Sequence, residues 1–457
     1  MGFIIAVLFI EIIGIFLVTT ALKREEYTCS GSEVVSLSFF VGMFFISLQT
    51  LVFYLYDIPL SFKNVVALPA VMLLLIIARY VSRPERLKET LISRENNAWT
   101  GFEKCLMAGM IFQFLWIIFL TLPVPIHSHD AVANYALKAK MLYFSGMVPE
   151  GFFRFGEATV SHPDYPPLLP FIMNWIYTFT GFNDVTVRMI MPVIYLMSSV
   201  LFYSLLRRIF DRKYSLLTVF ILATIPQFYD YATIIHTDLV LTAFVTCALT
   251  YFVLYIRTGI KIQAILSAFL FGAALWVKNE AVVFAGAFVL LFAVLILRSD
   301  AANRRKTSRD MVSALVTLTV IALPWFFVRF FHAVLNSDIN PMNVTGGRIL
   351  QNIKDIPVLL DLFQQEVFGP KKWNIFWIIM ASCMIWKRKV LWKNENFYIM
   401  AFLLITAAGY FAGYMLTTGN NLFFYVNTTI SRFMLHFTGI TLLLAAFLCR
   451  DEYRETQ

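Results

Sequence analysis

Residues 261–298 read KIQAILSAFLFGAALWVKNEAVVFAGAFVLLFAVLILR. Apolar side chains fill the stretch from about 264 to 297, interrupted at its centre by Lys278, Asn279 and Glu280. As one helix it would run about 51 Å at 1.5 Å per residue, against a hydrocarbon core of about 30 Å. Charged side chains at mid-bilayer are also costly. Two short spans joined by a turn at Lys278–Glu280 remove both difficulties. The basic flanks Lys261 and Arg298 then face the cytoplasm and the turn faces outward. A single helix would instead put Arg304-Arg305-Lys306 outside, against the charge rule. Because the arms are short, the turn is expected in a water-filled recess.

The rest of the chain reads the same way. Of its 457 residues 59% are hydrophobic and 14% charged, where a soluble domain has about 45–50% and about 25%. The surplus apolar surface needs lipid to cover it. Apolar runs fall near 3–22, 33–56, 63–81, 100–122, 185–206, 214–230, 238–256, 264–277, 281–297, 311–330, 373–386, 397–416 and 431–448. The expected fold is therefore all-α, a polytopic transmembrane helical bundle of about 13 spans, each needing roughly 20 residues.

Basic residues set the orientation. They cluster at Lys23-Arg24, in the 79–104 loop with Arg83, Arg86, Lys88 and Arg94, at Arg207-Arg208 and Arg212-Lys213, at Arg304-Arg305-Lys306 and at Lys387-Arg388-Lys389. With alternate loops inside, about 25 of the 37 Lys and Arg lie in the cytoplasm. The N-terminus is then outside and the C-terminus cytoplasmic, in a plasma (inner) membrane. This accounts for the net charge of +9 without a nucleic-acid partner. The five cysteines show no metal spacing and no disulfide framework. Residues 1–99 read as N-terminal transmembrane helices with a basic loop, and 100–457 as the main module. Its large outer loops are 123–184 and 331–372.

Ionisable groups at the membrane edge mark candidate sites. Thr121–Asp130 reads TLPVPIHSHD, so a span breaks at prolines and His129 and Asp130 follow. Asp130 is a candidate general base, or an N-cap for the helical pattern after it. Ser161–Pro170 reads SHPDYPPLLP, a rigid turn presenting His162, Asp164 and Tyr165 before an amphipathic, interfacial segment at 168–180. His236 and Asp238 open a span, where Thr237 or Asp238 also suits a cap. Lys278 and Glu280 form a structural pair, or, with Glu280 turned away, Lys278 is a cation in a recess suited to phosphate. Arg348, with Glu366, Lys371 and Lys372, lies in the second outer loop. Arg432 begins the last span, with His436 one turn on, as an interfacial anchor or a ligand residue. The HxHD and HxD spacings leave a divalent cation open, with no HExxH or paired-cysteine pattern for zinc.

The order of these features resembles the GT-C superfamily of integral membrane glycosyltransferases. The similarity covers about residues 100–450 and is greatest to the dolichyl-phosphate-mannose–protein mannosyltransferase and lipid A aminoarabinose transferase group. Asp130 matches the family's catalytic Asp by its position after the first span of the module. Tyr165-Pro166-Pro167-Leu168 matches the Lys-Pro-Pro-Leu turn without its Lys. Asp238 resembles the second-loop acid, and Lys278 the Lys of a Lys-Gly turn. Arg432 matches a late basic residue.

The resemblance implies a polyprenyl-phosphate sugar donor and a glycan, lipid or protein acceptor on the non-cytoplasmic face, with no required cofactor. Asp130 would be the base of an inverting hexosyl or pentosyl transfer. His129, His162, Asp164, Tyr165, His236, Asp238 and Glu280 would contact substrate, and Lys278, Arg348 and Arg432 the donor phosphate. Two other classes compete: a transporter or flippase of a lipid-linked sugar, and a non-catalytic assembly factor. The first would usually show inverted repeats and broken midplane helices, and neither pattern is evident.

Overall fold

A computed structural model describes residues 1–22, 27–82, 98–154, 162–332, 334, 343–417 and 422–455. Lys23, Arg24, Arg83, Arg86, Lys88, Arg94 and Ser161 lie outside the described residues. Every regular element among the described residues is helical. Among the described residues, nine helices are long and apolar enough to cross a membrane, and three shorter apolar helices accompany them. The all-α, multi-pass reading stands.

The helices form two compact units, Met1–Phe220 with Tyr231–Thr237, and Ile221–Asp230 with Asp238–Gln457. In the first, α1 (Gly2–Leu22), α2 (Gly31–Leu55), α3 (Phe62–Ser82) and α4 (Gly101–Thr121) are followed by a π-helix (Ala131–Ala136). That runs directly into α5 (Leu137–Ser145), and α6 (Leu168–Thr180), α7 (Asp184–Arg188) and α8 (Ile190–Leu206) come next. Helices pack in lipid through close approach rather than hydrophobic expulsion, so small residues matter. A Cβ on Gly14 would lie 1.8 Å from the Ser38 carbonyl oxygen, and one on Gly42 would lie 2.0 Å from that of Ile10. This intimacy joins α1 to α2.

The segment 168–180 is a helix with the expected bounds, but it is covered more fully than an interfacial helix alone would be. Leu168 through Tyr177 are all buried, with α1, α2 and α5 packed on α6. Trp175 buries its ring there and donates its indole N–H to the Ala6 carbonyl at 3.0 Å, which satisfies its polar edge.

Buried ion pairs tie the basic loop after α8 to other helix ends. Arg208 Nε donates to Glu33 at 2.8 Å, and Arg212 Nε donates to Glu103 at 2.9 Å. Glu33 and Glu103 each occupy the first turn of a helix, where negative charge suits the exposed N–H groups.

The run 214–230, expected as one span, is two helices, α9 (Arg212–Ala223) and α10 (Pro226–Asp230). Pro226 has no N–H to continue the ladder, and its ring clashes with the preceding turn. The second unit continues with α11 (Thr237–Thr258), α12 (Lys261–Ala274), α13 (Ala281–Arg298) and α14 (Ala301–Phe331). The break between α12 and α13 falls at Leu275–Glu280, where the length and charge of the stretch required it. Then come α15 (Gly346–Lys354), α16 (Ile356–Val367), α17 (Pro370–Trp373), α18 (Phe376–Trp386), α19 (Asn394–Leu416) and α20 (Leu422–Glu455). Helix α12 packs on α14, α13 on α19, and α20 on α16, α18 and α19.

Candidate functional site

In the first unit, Pro123 and Pro125 end α4 and leave carbonyls that helical N–H groups do not reach. The buried Arg188 guanidinium fills that need. It donates to the carbonyls of Val124 and Pro125, the latter at 3.0 Å, and to that of Thr233. One side chain thus pins the segment leading into Asp130 and the segment leading into His236.

Asp130 heads the π-helix, but its side chain makes no capping hydrogen bond. The cap reading fails because the backbone is already helical at this residue, which turns the carboxylate away from the N–H groups ahead. The carboxylate is 31% exposed, with His236 Nε2 3.4 Å from Oδ2 and the exposed His129 Nδ1 3.6 Å from Oδ1. His236 is buried, with Tyr135 and Tyr231 edge-on to its ring at 5.6 and 5.3 Å. The Tyr135 hydroxyl meets the Thr237 hydroxyl at 2.8 Å. π-Helical turns gather at functional sites because the extra residue redirects side chains. Here that turn carries Tyr135 to His236.

The proline turn adds a second layer. His162 stacks on Tyr165 at 4.4 Å, and Tyr165 on Tyr135 at 6.4 Å. Asp164 is fully buried, 4.0 Å from His162 Nδ1. Burial lowers the His162 pKa, and Asp164 pulls against that. Beneath the turn lies Lys138, a residue the sequence reading passed over.

The second unit holds a network built around Asp238. Asp238, in the first turn of α11, is fully buried. It accepts from Lys278 Nζ at 2.8 Å and from His436 Nε2 at 2.9 Å. A carboxylate only accepts, so Nε2 carries the proton, and in the neutral ring Nδ1 accepts from the Tyr410 hydroxyl at 2.7 Å. Lys278 Nζ also lies 3.0 Å from Glu280. Burial works against its charge, but Asp238 and Glu280 outweigh burial and raise its pKa. Arg432 is near enough to oppose them. Glu280 therefore faces the lysine, and the ammonium sits between two carboxylates.

Arg348 lies in the first turn of α15, where its backbone N–H donates to the Thr345 hydroxyl that caps the helix. Elsewhere in the same unit, a cavity of about 390 Å³ is lined by Leu362, Glu366, Lys371, Lys372, Asn427 and Ile430, among others. Lys372 Nζ donates there to Glu366 at 2.9 Å and to Ser431 at 2.6 Å. Among the described residues, no three His, Cys, Asp or Glu side chains gather as a metal site would require.

These features define a multi-pass integral membrane protein with polar networks built from Asp, His, Lys and Tyr among apolar helices. A family model described as dolichyl-phosphate-mannose-protein mannosyltransferase matches residues 162–327, just over a third of the chain. No curated protein matches the chain. Among solved structures, it is similar to ArnT from Cupriavidus metallidurans bound to undecaprenyl phosphate. The TM-score is 0.51 at 14% identity, over 75% of this chain and 59% of that one. It is also similar to the archaeal oligosaccharyltransferase AglB from Archaeoglobus fulgidus, in complex with an inhibitory peptide and a dolichol-phosphate. There the TM-score is 0.49 at 13% identity, over 78% and 51% of the two chains. The chain thus spans about half to three-fifths of the length of these neighbours. The fold is shared with ArnT, and the resemblance to the GT-C membrane glycosyltransferases holds.

Proposed function

We propose that this chain is a membrane glycosyltransferase that moves a sugar from a polyprenyl-phosphate donor to a glycan, lipid or protein acceptor on the non-cytoplasmic face. The observation that carries the reading is Asp130, a partly exposed carboxylate that caps nothing and has a buried histidine behind it. The family match and the shared fold point to the same chemistry.

In this mechanism the acceptor oxygen attacks the anomeric carbon, and the bond from that carbon to the phosphate oxygen breaks. Polyprenyl phosphate leaves as an anion, so fixed positive charge can replace a general acid. Asp130 takes the acceptor proton. A single base acting opposite the leaving group gives inversion, as in inverting glycoside hydrolysis. Lys278 and Arg432 hold the phosphate, which takes the place of the Glu280 carboxylate at the ammonium. Arg348, in the first turn of α15, is the third residue proposed for the phosphate. His129, His162, Asp164, Tyr165, His236 and Asp238 orient sugar and acceptor directly or through their neighbours.

The test is incubation of the purified protein with radiolabelled polyprenyl-phosphate sugars and membrane acceptors. Wild type is expected to label an acceptor, and Asp130→Asn to lose roughly 10²–10⁴-fold in rate with donor binding kept. Full transfer by Asp130→Asn would remove Asp130 from the mechanism. Movement of the intact lipid across vesicles without bond formation would replace the enzyme with a flippase.

A further inference from the structure

Lys138 is a buried lysine that the mechanism above does not use. It is 1% exposed, on the helix that begins with Asp130, Tyr135 and the π-turn. Its Nζ donates to the His162 carbonyl at 2.6 Å and to the Tyr165 carbonyl at 3.1 Å. The turn it binds contains Pro163, Pro166 and Pro167, so half of residues 162–167 have no N–H to offer. One backbone bond closes it, from Tyr165 N–H to the His162 carbonyl at 3.2 Å. Buried carbonyls need donors, and a lysine ammonium brings three from a single point. No hydrophobic residue could hold this turn in the same way.

We propose that Lys138 is a positioning residue: its ammonium clamps the 162–167 turn, and with it the stacked His162, Tyr165 and Tyr135 rings, to the helix that carries Asp130. Tyr135 in turn meets His236, the partner of Asp130. The clamp therefore sets where the acceptor side of the site lies relative to the base.

The charge environment makes the clamp sensitive to pH. Burial lowers the Lys138 pKa to about 7, with Asp164 opposing the shift. Among the described residues, His162 and Tyr165 in the turn also face it, the Tyr165 ring at 6.0 Å, and Tyr165 stacks in turn on Tyr135 of the Lys138 helix. Helix α6, packed alongside, contributes only Tyr177 as a titratable group, and its hydroxyl donates to Asp184 at 2.7 Å. Lys140 is held by the same carboxylate at 2.8 Å. Below pH about 7 the ammonium makes two charge-assisted bonds. Above it, a neutral amine keeps two weaker donors, so the clamp loosens as pH rises.

The experiment uses the full chain in detergent or nanodisc and reads amide exchange by mass spectrometry alongside turnover. In Lys138→Met, the amides of Asp164, Tyr165, Leu168 and Leu169 are expected to exchange about tenfold faster, with the rest of α6 unchanged. The turnover number should fall roughly 10- to 100-fold with little change in donor KM, the cost of misplacing the reacting groups. Wild type offers a second measurement that needs no variant. After correction for intrinsic rates, protection of the same amides should fall between pH about 6 and about 8.5 and nowhere else in the unit. Unchanged exchange in Lys138→Met and a flat wild-type profile would overturn the clamp. Faster exchange spread over the whole unit would reduce Lys138 to a stability residue. The kinetic arm rests on the glycosyltransferase reading, whereas the exchange arm does not, so the two fail separately.

Discussion

His236 Nε2 lies 3.4 Å from Asp130 Oδ2, although they are 106 positions apart in the chain, and the imidazole is buried while the carboxylate reaches solvent. A buried ring cannot easily follow a moving partner, so this pair fixes one carboxylate oxygen, while the other faces the exposed His129 at 3.6 Å. His236→Phe keeps the ring volume between Tyr135 and Tyr231 and removes the polar contact. The turnover number is expected to fall by roughly one order of magnitude, ~1.4 kcal/mol in barrier. Donor affinity should be unchanged. A variant with full turnover would show that the histidine only fills space.

The Asp238–Lys278 pair predicts strong coupling. Removing one partner of a buried ion pair leaves an uncompensated charge and costs about 3–5 kcal/mol. Asp238→Asn and Lys278→Met should each lower thermal stability in detergent markedly, because His436 also depends on Asp238. The double variant should lose much less than the sum. Simple additivity in a thermal-shift cycle would mean that the two groups do not meet.

Glu280 gives the opposite sign for binding. It competes for the Lys278 ammonium from 3.0 Å and is itself partly exposed. Glu280→Gln removes that competitor and should tighten binding of polyprenyl phosphate by roughly tenfold, ~1.4 kcal/mol, with only a small loss of stability. Weaker binding in titration would show that Glu280 contacts the ligand instead of competing with it.

The packing of α18 on α20 has a chemical check. Cys383 Sγ and Cys449 Sγ lie 3.6 Å apart, and neither is in a disulfide. A disulfide requires about 2.05 Å, a small adjustment for two side chains. A mild oxidant should join them within one chain, seen by mass spectrometry of the linked peptides. Exclusive cross-linking between chains would place these helices apart.

Much of the architecture was legible because transfer into lipid is a property of each residue and adds along a segment. The break at Lys278–Glu280 followed from length and charge alone, and the helix at 168–180 from its proline boundary. The run 214–230 was misread because its apolar composition outweighed one proline. Arg188 carried a readable signal, an arginine at the start of an apolar run, which intramembrane charge should have flagged. Lys138 carried none, since KAK in a short helix looks like any solvated face.

By itself, then, the sequence determined a helical membrane protein, the positions of most of its spans, and which ionisable residues were expensive enough to need a purpose. Only the tertiary structure decided how they pair. It joined Asp130 to His236, Asp238 to Lys278 and His436, and Lys138 to the proline turn. The physical reason is range. Burial energies are local and sum along the chain, whereas a hydrogen bond or ion pair depends on a few ångströms between residues up to 198 positions apart, and the packing of all the intervening helices sets that separation.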